Sequence, residues 1–129
     1  MYLQYTDYEI RSHEYPMSLA ELKNARSVSF GYLHNTKYAI NDIITINNYN
    51  ELNFYIICNI IYISDENELL VITKKMVINN FNSHINAHVV QTSNNKIIDI
   101  FKLKNITYLP TKLYNLVYGK VIKIKPPLI

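Results

Sequence analysis

The first candidates for chemistry are four histidines, His13, His34, His84 and His88. His84 and His88 are four residues apart, a spacing that brings two imidazoles side by side only on a helix. The segment between and after them, Ile85-Asn86-Ala87 and Val89-Val90-Gln91, reads instead as a turn running into a strand. On a strand, residues four apart share a face at about 13 Å, too far for two ligands of one metal ion. Cys58 is the only cysteine, so no thiolate pair supports a metal site. Neither a metal nor a cofactor is expected. Nucleophilic catalysis needs a nucleophile, a base and oxyanion donors, commonly on a glycine-rich turn. The two glycines, Gly31 and Gly119, lie in no phosphate-loop or nucleophile-elbow pattern. Acids crowd at Asp65, Glu66 and Glu68, in a run that reads as a solvated hairpin loop. With no legible pair of convergent carboxylates, the chain is expected not to be an enzyme.

The C-terminal part suggests a different chemistry. From residue 96 to 129 there are seven lysines against one acid, Asp99, whereas residues 1–95 carry six basic and nine acidic side chains. A basic end on a chain of net charge +3 can meet phosphates or an acidic protein surface. Tyrosines lie among these lysines, and bases stack on exposed aromatic rings while lysines hold the backbone. The expected nucleic-acid contacts are therefore Lys102, Lys104, Lys112, Lys120, Lys123 and Lys125, with Tyr108, Tyr114 and Tyr118. The same residues also suit a solvated strand face whose lysines discourage edge-to-edge pairing. The tyrosines suit a rim where rings pack and hydroxyls stay wet. A methyl-lysine cage would need three converging rings, with Tyr32, Tyr38 and Tyr55 as candidates.

These residues must be positioned by strands. Ser27–Tyr32 alternates, and His34-Asn35-Thr36 is a turn. Lys37–Ile46 is a second strand with a bulge or break at Asn41-Asp42. Asn53–Ser64 is apolar at both parities, as in a strand buried on both faces, and should supply the core through Phe54, Ile56, Ile57, Ile60 and Ile61. Leu69–Ile78 is the next strand, with Thr73-Lys74-Lys75 exposed, and Asn79–Asn86 is turn-rich. His88–Gln91, Ile97–Leu103, Ile106–Leu109 and Leu113–Val117 are short segments, with Lys102 and Lys104 facing water. A final alternation runs from Val121 to Lys125 before Pro126-Pro127. One short helical connector is expected at Ser18-Leu19-Ala20-Glu21, a capping-box pattern, ending near Asn24. About seven to nine short strands, evenly punctuated by turns, make a mostly β chain, a small barrel or sandwich.

In linear order the chain resembles a known segment. Ser27–Phe30, a turn, and Tyr38-Ala39-Ile40-Asn41-Asp42-Ile43-Ile44 look like the Y-x-[VI]-G-D-x-[VI] opening of bromo-adjacent-homology (BAH) barrels, which are chromatin reader modules. The pattern is also similar to an SH3-like C-terminal segment of transposon-derived open reading frames. Phe54–Ile63, Leu70–Ile72, Ser83–Val90, Ile97–Ile100 and Tyr108-Leu109-Pro110 follow its order. Asn41 stands where that pattern has glycine, and asparagine tolerates positive φ better than most residues. The resemblance covers roughly residues 27–125. It implies a non-catalytic accessory domain and transfers no functional residue.

Length suits one domain, 1–129, with residues 1–26 as an arm packed on a barrel core over 27–125. The opening MYLQYTDYEI has no basic-then-apolar pattern, and the apolar run at Phe54–Ile63 is too short for a membrane helix. With a single cysteine, this gives an intracellular protein, nuclear or cytoplasmic. The expected function is a non-catalytic binding module that meets nucleic acid or chromatin through its basic C-terminal face. A protein-interaction or structural domain using exposed strand edges, including self-association, is the alternative.

Overall fold

The computed structural model describes residues 8–12, 25–33, 35–48, 51–64, 67–83, 87–107, 109–116 and 119–122. Among them are eleven strands and one 3-10 turn, so the chain is a small β-rich domain. The helical connector expected at Ser18–Asn24 lies outside the described residues.

Two long strands form the spine: β6 (Glu51–Ile63) and β7 (Glu68–Asn82). β6 carries five isoleucines and β7 two isoleucines, two valines and a threonine, whose branched Cβ favours extended backbone. The hairpin between them closes at Ser64 and Asn67. Asn67 takes φ 50°, and its N–H donates to the Ser64 carbonyl at 3.3 Å. The antiparallel register runs from Ile63 opposite Glu68 to Tyr55 opposite Lys75, with an irregularity between Ile57 and Asn59 that leaves Cys58 unpaired in the ladder. A bulge of this kind bends its strand.

Each spine strand shares its outer edge between two shorter strands. Along β6, β5 (Ile43–Asn48) covers the first half and β2 (Arg26–Val28) the second. Along β7, β9 (Ile97–Lys102) covers Leu70–Thr73 and β8 (Ala87–Thr92) covers Met76–Asn82. β1 (Glu9–Ser12) adds a parallel strand to β9, in a stretch where the sequence shows little strand pattern. β11 (Gly119–Ile122) pairs with β8, and β10 (Leu113–Leu116) with β11. β3 (Phe30–Leu33) and β4 (Thr36–Ala39) form a separate hairpin.

The ladder does not close into the expected barrel. Its hydrogen-bonded path is open, ending at β1 and β10. One antiparallel bridge links β5 to the segment ahead of β10: Ile43 N–H donates to the Thr111 carbonyl at 2.8 Å, and Thr111 N–H to the Ile43 carbonyl at 2.9 Å. Pro110 precedes Thr111 and has no N–H to extend the ladder on that side.

The core lies on both faces of the spine. Ile57, Ile60, Val71, Phe101 and Leu103 gather with Tyr38, Ile44 and Tyr55 in one cluster. Ile61, Leu70, Ile72, Ile98 and Ile100 form a second, and Ile43, Phe54, Met76, Val90 and Ile122 a third. Phe54, Ile57, Ile60 and Ile61 are fully buried, as the two-parity pattern requires, while Ile56 is half-buried.

Four local expectations differ. The strand expected over Ser27–Tyr32 breaks at Ser29, so that β2 joins β6 while β3 leaves to form its own hairpin. Thr73 is fully buried because it sits between β6 and β9, and its hydroxyl donates to the Asp99 carbonyl at 2.8 Å. β7 continues to Asn82 through asparagines, since pairing with β8 asks nothing of side chains that face water on both sides. Ile106 is not in a strand; it caps the 3-10 turn Leu103–Asn105, with its N–H donating to the Leu103 carbonyl at 3.1 Å.

Candidate nucleic-acid interface

Two of the predicted lysines, Lys102 and Lys104, meet at a cleft of about 300 Å³. Its walls are Tyr32 and Leu33 from β3, Tyr62 from β6, Asn67 and the start of β7, and the end of β9 running into the 3-10 turn. Leu70 pairs with Lys102 in the β7–β9 ladder. Continuing that antiparallel register places Glu68 across from Lys104 and diagonal to Lys102, the geometry in which cross-strand charges interact. Both ammonium groups reach the same oxygen, Glu68 Oε1, Lys104 at 2.9 Å and Lys102 at 3.5 Å. The Lys104 hydrogen bond holds the Glu68 carboxyl below its usual range, against the opposing effect of burial, so it is ionised at neutral pH.

Glu68 is therefore not part of a solvated acidic loop: its side chain is only 14% exposed. Lys102 is likewise mostly covered, at 18%, whereas Lys104 faces water at 56%. From sequence Glu68 reads as part of the acidic loop, because its contact with the lysines depends on the β7–β9 register, which no local pattern shows.

The aromatic walls extend the site. Tyr62 donates its hydroxyl to Asn67 Oδ1 at 3.0 Å, which anchors the ring to the hairpin turn. The Arg26 guanidinium lies over the same ring, 5.7 Å from its centroid. Phe30 and Tyr32 share a face of β3, as residues two apart must. They are 48% and 59% exposed, with ring centroids 5.9 Å apart. Lys37, cross-strand from Tyr32, sets its ammonium 4.6 Å from the Phe30 ring. Gly31 between them lets the hairpin sit close to the spine: a Cβ there would lie 2.7 Å from Leu69 Cδ1. The result is a succession of contacts from Lys37 and Phe30 through Tyr32 to the cleft, where half-buried Tyr62, with Arg26 over its ring, meets Lys102, Lys104 and Glu68.

The other predicted contacts are not brought to this cleft. Lys112 binds the buried Asp42 carboxylate directly across the Ile43–Thr111 bridge, beside a separate recess lined by Ile40, Asn41 and Leu113. Asp42 Oδ2 also accepts the Ala39 N–H at 3.0 Å, closing a turn in which Asn41 takes φ 74°. That turn is the break expected at Asn41-Asp42. Lys120 is exposed on β11 and Tyr114 is 47% exposed on β10. Tyr108, Tyr118, Lys123 and Lys125 lie outside the described residues, as do His13, His34 and His84.

Packing keeps the three candidate cage tyrosines apart. Tyr32 is on the surface, but Tyr38 and Tyr55 are core residues at 0% and 6% exposure. Burial, with the Asp99 charge adding to it, pushes the Tyr55 phenol up to about 12. His88 packs edge-on between Phe54 and Phe81, at 5.2 and 4.9 Å, and burial lowers its pKa. Cys58 sits at the β6 irregularity with its thiol pKa raised by burial. Among the described residues, no three His, Cys, Asp or Glu side chains gather where a metal ion could be held. No helix among them is long and apolar enough to cross a membrane.

Comparison with protein-family models, curated proteins and solved structures finds no match to this chain.

Proposed function

We infer that the protein is a non-catalytic binding module that takes single-stranded nucleic acid along the face running from Lys37 and Phe30 through Tyr32 to Lys102 and Lys104. One observation carries this: rings and cations follow one another in contact, Lys37 on Phe30, Phe30 on Tyr32, then the cleft that Tyr32 lines together with Tyr62, Lys102 and Lys104. Rings of this kind offer stacking surfaces to any base, and cations beside them meet the phosphates. Relative to the sequence expectation, the site keeps Lys102 and Lys104 but draws its aromatics from β3 and β6 rather than from the C-terminal tyrosines.

The same reading takes the architecture as an SH3-like barrel left open at one seam, with the Ile43–Thr111 bridge as its support. It accords with the accessory role implied by the resemblance to transposon-derived segments, and with a nuclear or cytoplasmic setting where nucleic acid is at hand.

Fluorescence anisotropy with labelled single-stranded DNA and RNA tests the proposal. Binding should weaken steeply between low and physiological salt. Tyr32→Ala should lose about tenfold in affinity, the worth of one stacked base. Lys37→Ala should lower the salt slope by about one. Absence of binding, or affinity indifferent to salt, overturns it.

A second reading has its own observation. Val77, Ile78 and Phe81 are exposed on the part of β7 that pairs only with β8 among the described residues. An edge of this kind accepts a partner strand. A concentration-independent monomer mass in solution would exclude self-association through it.

A further inference from the structure

Among the described residues, the Asp42 and Glu68 carboxylates both hold lysines, and they use their oxygens differently. Asp42 gives Oδ1 to Lys112 and Oδ2 to the Ala39 N–H. Glu68 gives Oε1 to both Lys102 and Lys104, while its Oε2 is buried with no hydrogen-bond partner among the described residues. A buried acceptor left unpaired carries a desolvation cost that it recovers by turning into water. The Asp42 contact is thus tied into the backbone, whereas the Glu68 contact is poised to let go. Lys104 is more than half exposed, so an incoming anion can reach it while Glu68 is still in place.

We propose that Glu68 is a built-in competitor for the phosphates of a bound strand, holding Lys102 and Lys104 through one oxygen until a phosphate displaces it. The proposal rests on the nucleic-acid reading above and specifies how that site is regulated. In the closed arrangement the pair of lysines and Glu68 present one net positive charge; with the carboxylate swung aside they present two to the phosphate. The displacement is an exchange of one anion for another on the same two cations, so no proton need move. It makes binding to this end of the face weaker, and less steep in salt, than the lysines alone would give.

The experiment is a salt titration of a labelled oligothymidylate against the wild-type chain and Glu68→Gln, which keeps the shape and removes the charge. The variant is expected to bind about 3- to 30-fold more tightly at low salt. Its plot of log affinity against log salt should be steeper by about one, because the displaced Glu68 of the wild type takes up a cation and so offsets one of those released from the strand. Glu68→Asp, one methylene shorter and so drawn back from both ammonium groups, should move the same way by less and serves if Glu68→Gln does not fold. If the wild type binds and the variants bind no more tightly, or more tightly with an unchanged slope, the competitor role falls while the binding face stands. If neither the wild type nor the variants bind, both fall.

Discussion

The two halves of β7 are one continuous strand in two different situations. From Glu68 to Lys75 it is paired with β6 throughout and with β9 over Leu70–Thr73, and Leu70, Val71, Ile72 and Thr73 are all buried. From Met76 to Asn82 it is paired only with β8 among the described ladders, and Met76 alone is buried. Backbone hydrogen bonds are present in both halves, so they do not account for the difference. What separates them is a second neighbour on the other edge, which brings side chains from β6 and β9 over both faces. The candidate site is built at the inner end, where Glu68 and Leu69 pair with β6 immediately before the doubly paired stretch begins. The outer end presents Val77, Ile78 and Phe81 to water.

The largest effect that could break this comparison is in core packing. Ile72→Ala, at a fully buried inner position, should cost about 2–5 kcal/mol in chemical denaturation, as should Ile57→Ala and Ile60→Ala across the β6–β7 pair. Val77→Ala in the outer half, 42% exposed, should stay within about 0.5 kcal/mol. Equal costs for the two classes would mean the halves are energetically alike.

Hydrogen exchange sharpens the same contrast without mutation. Amides of Leu70–Thr73 should exchange only through global unfolding, whereas those of Val77–Phe81 should exchange through local opening at a free energy lower by a few kcal/mol. Uniform protection along β7 would remove the distinction.

The smallest expected effect is a pH dependence confined to the outer half, where His88 stands opposite Phe81. Burial lowers the folded-state pKa of His88 below its ordinary 6.5, so the folded state prefers the neutral ring. As pH falls from the unfolded value toward the lower folded one, the unfolded chain binds more protons and His88's contribution to stability is lost. Protection factors in Val77–Phe81, which remove the intrinsic pH dependence of exchange, should therefore fall on acidification below about 6.5, ahead of those in Leu70–Thr73. His88→Phe should flatten that window. Glu68 acts in a lower window: its depressed pKa means its contribution is present above the ordinary carboxylate range and fades as pH falls through the folded value.

Much of the fold was legible because it is local. The two-parity apolar run that became β6, the turn at Asn41-Asp42 and the hairpin before β7 follow from side-chain periodicity and from asparagine's tolerance of positive φ. Strands whose side chains face water on both sides, such as Asn79–Asn82, carry no periodicity, and their asparagines favour turns as readily. β1 gains its place from β9 rather than from its own four residues.

That the chain is built of strands, that β6 lies at its centre and that its C-terminal part is basic all follow from residues adjacent along the chain. Tertiary structure decided which charges remain available. It set Glu68 against Lys102 and Lys104 and Asp42 against Lys112, and it carried Tyr32 and Tyr62 to the lysines while drawing Tyr38 and Tyr55 inward. The physical reason is register: a carboxylate neutralises a lysine more than 30 residues away only once two strands are aligned, and no local pattern encodes that alignment.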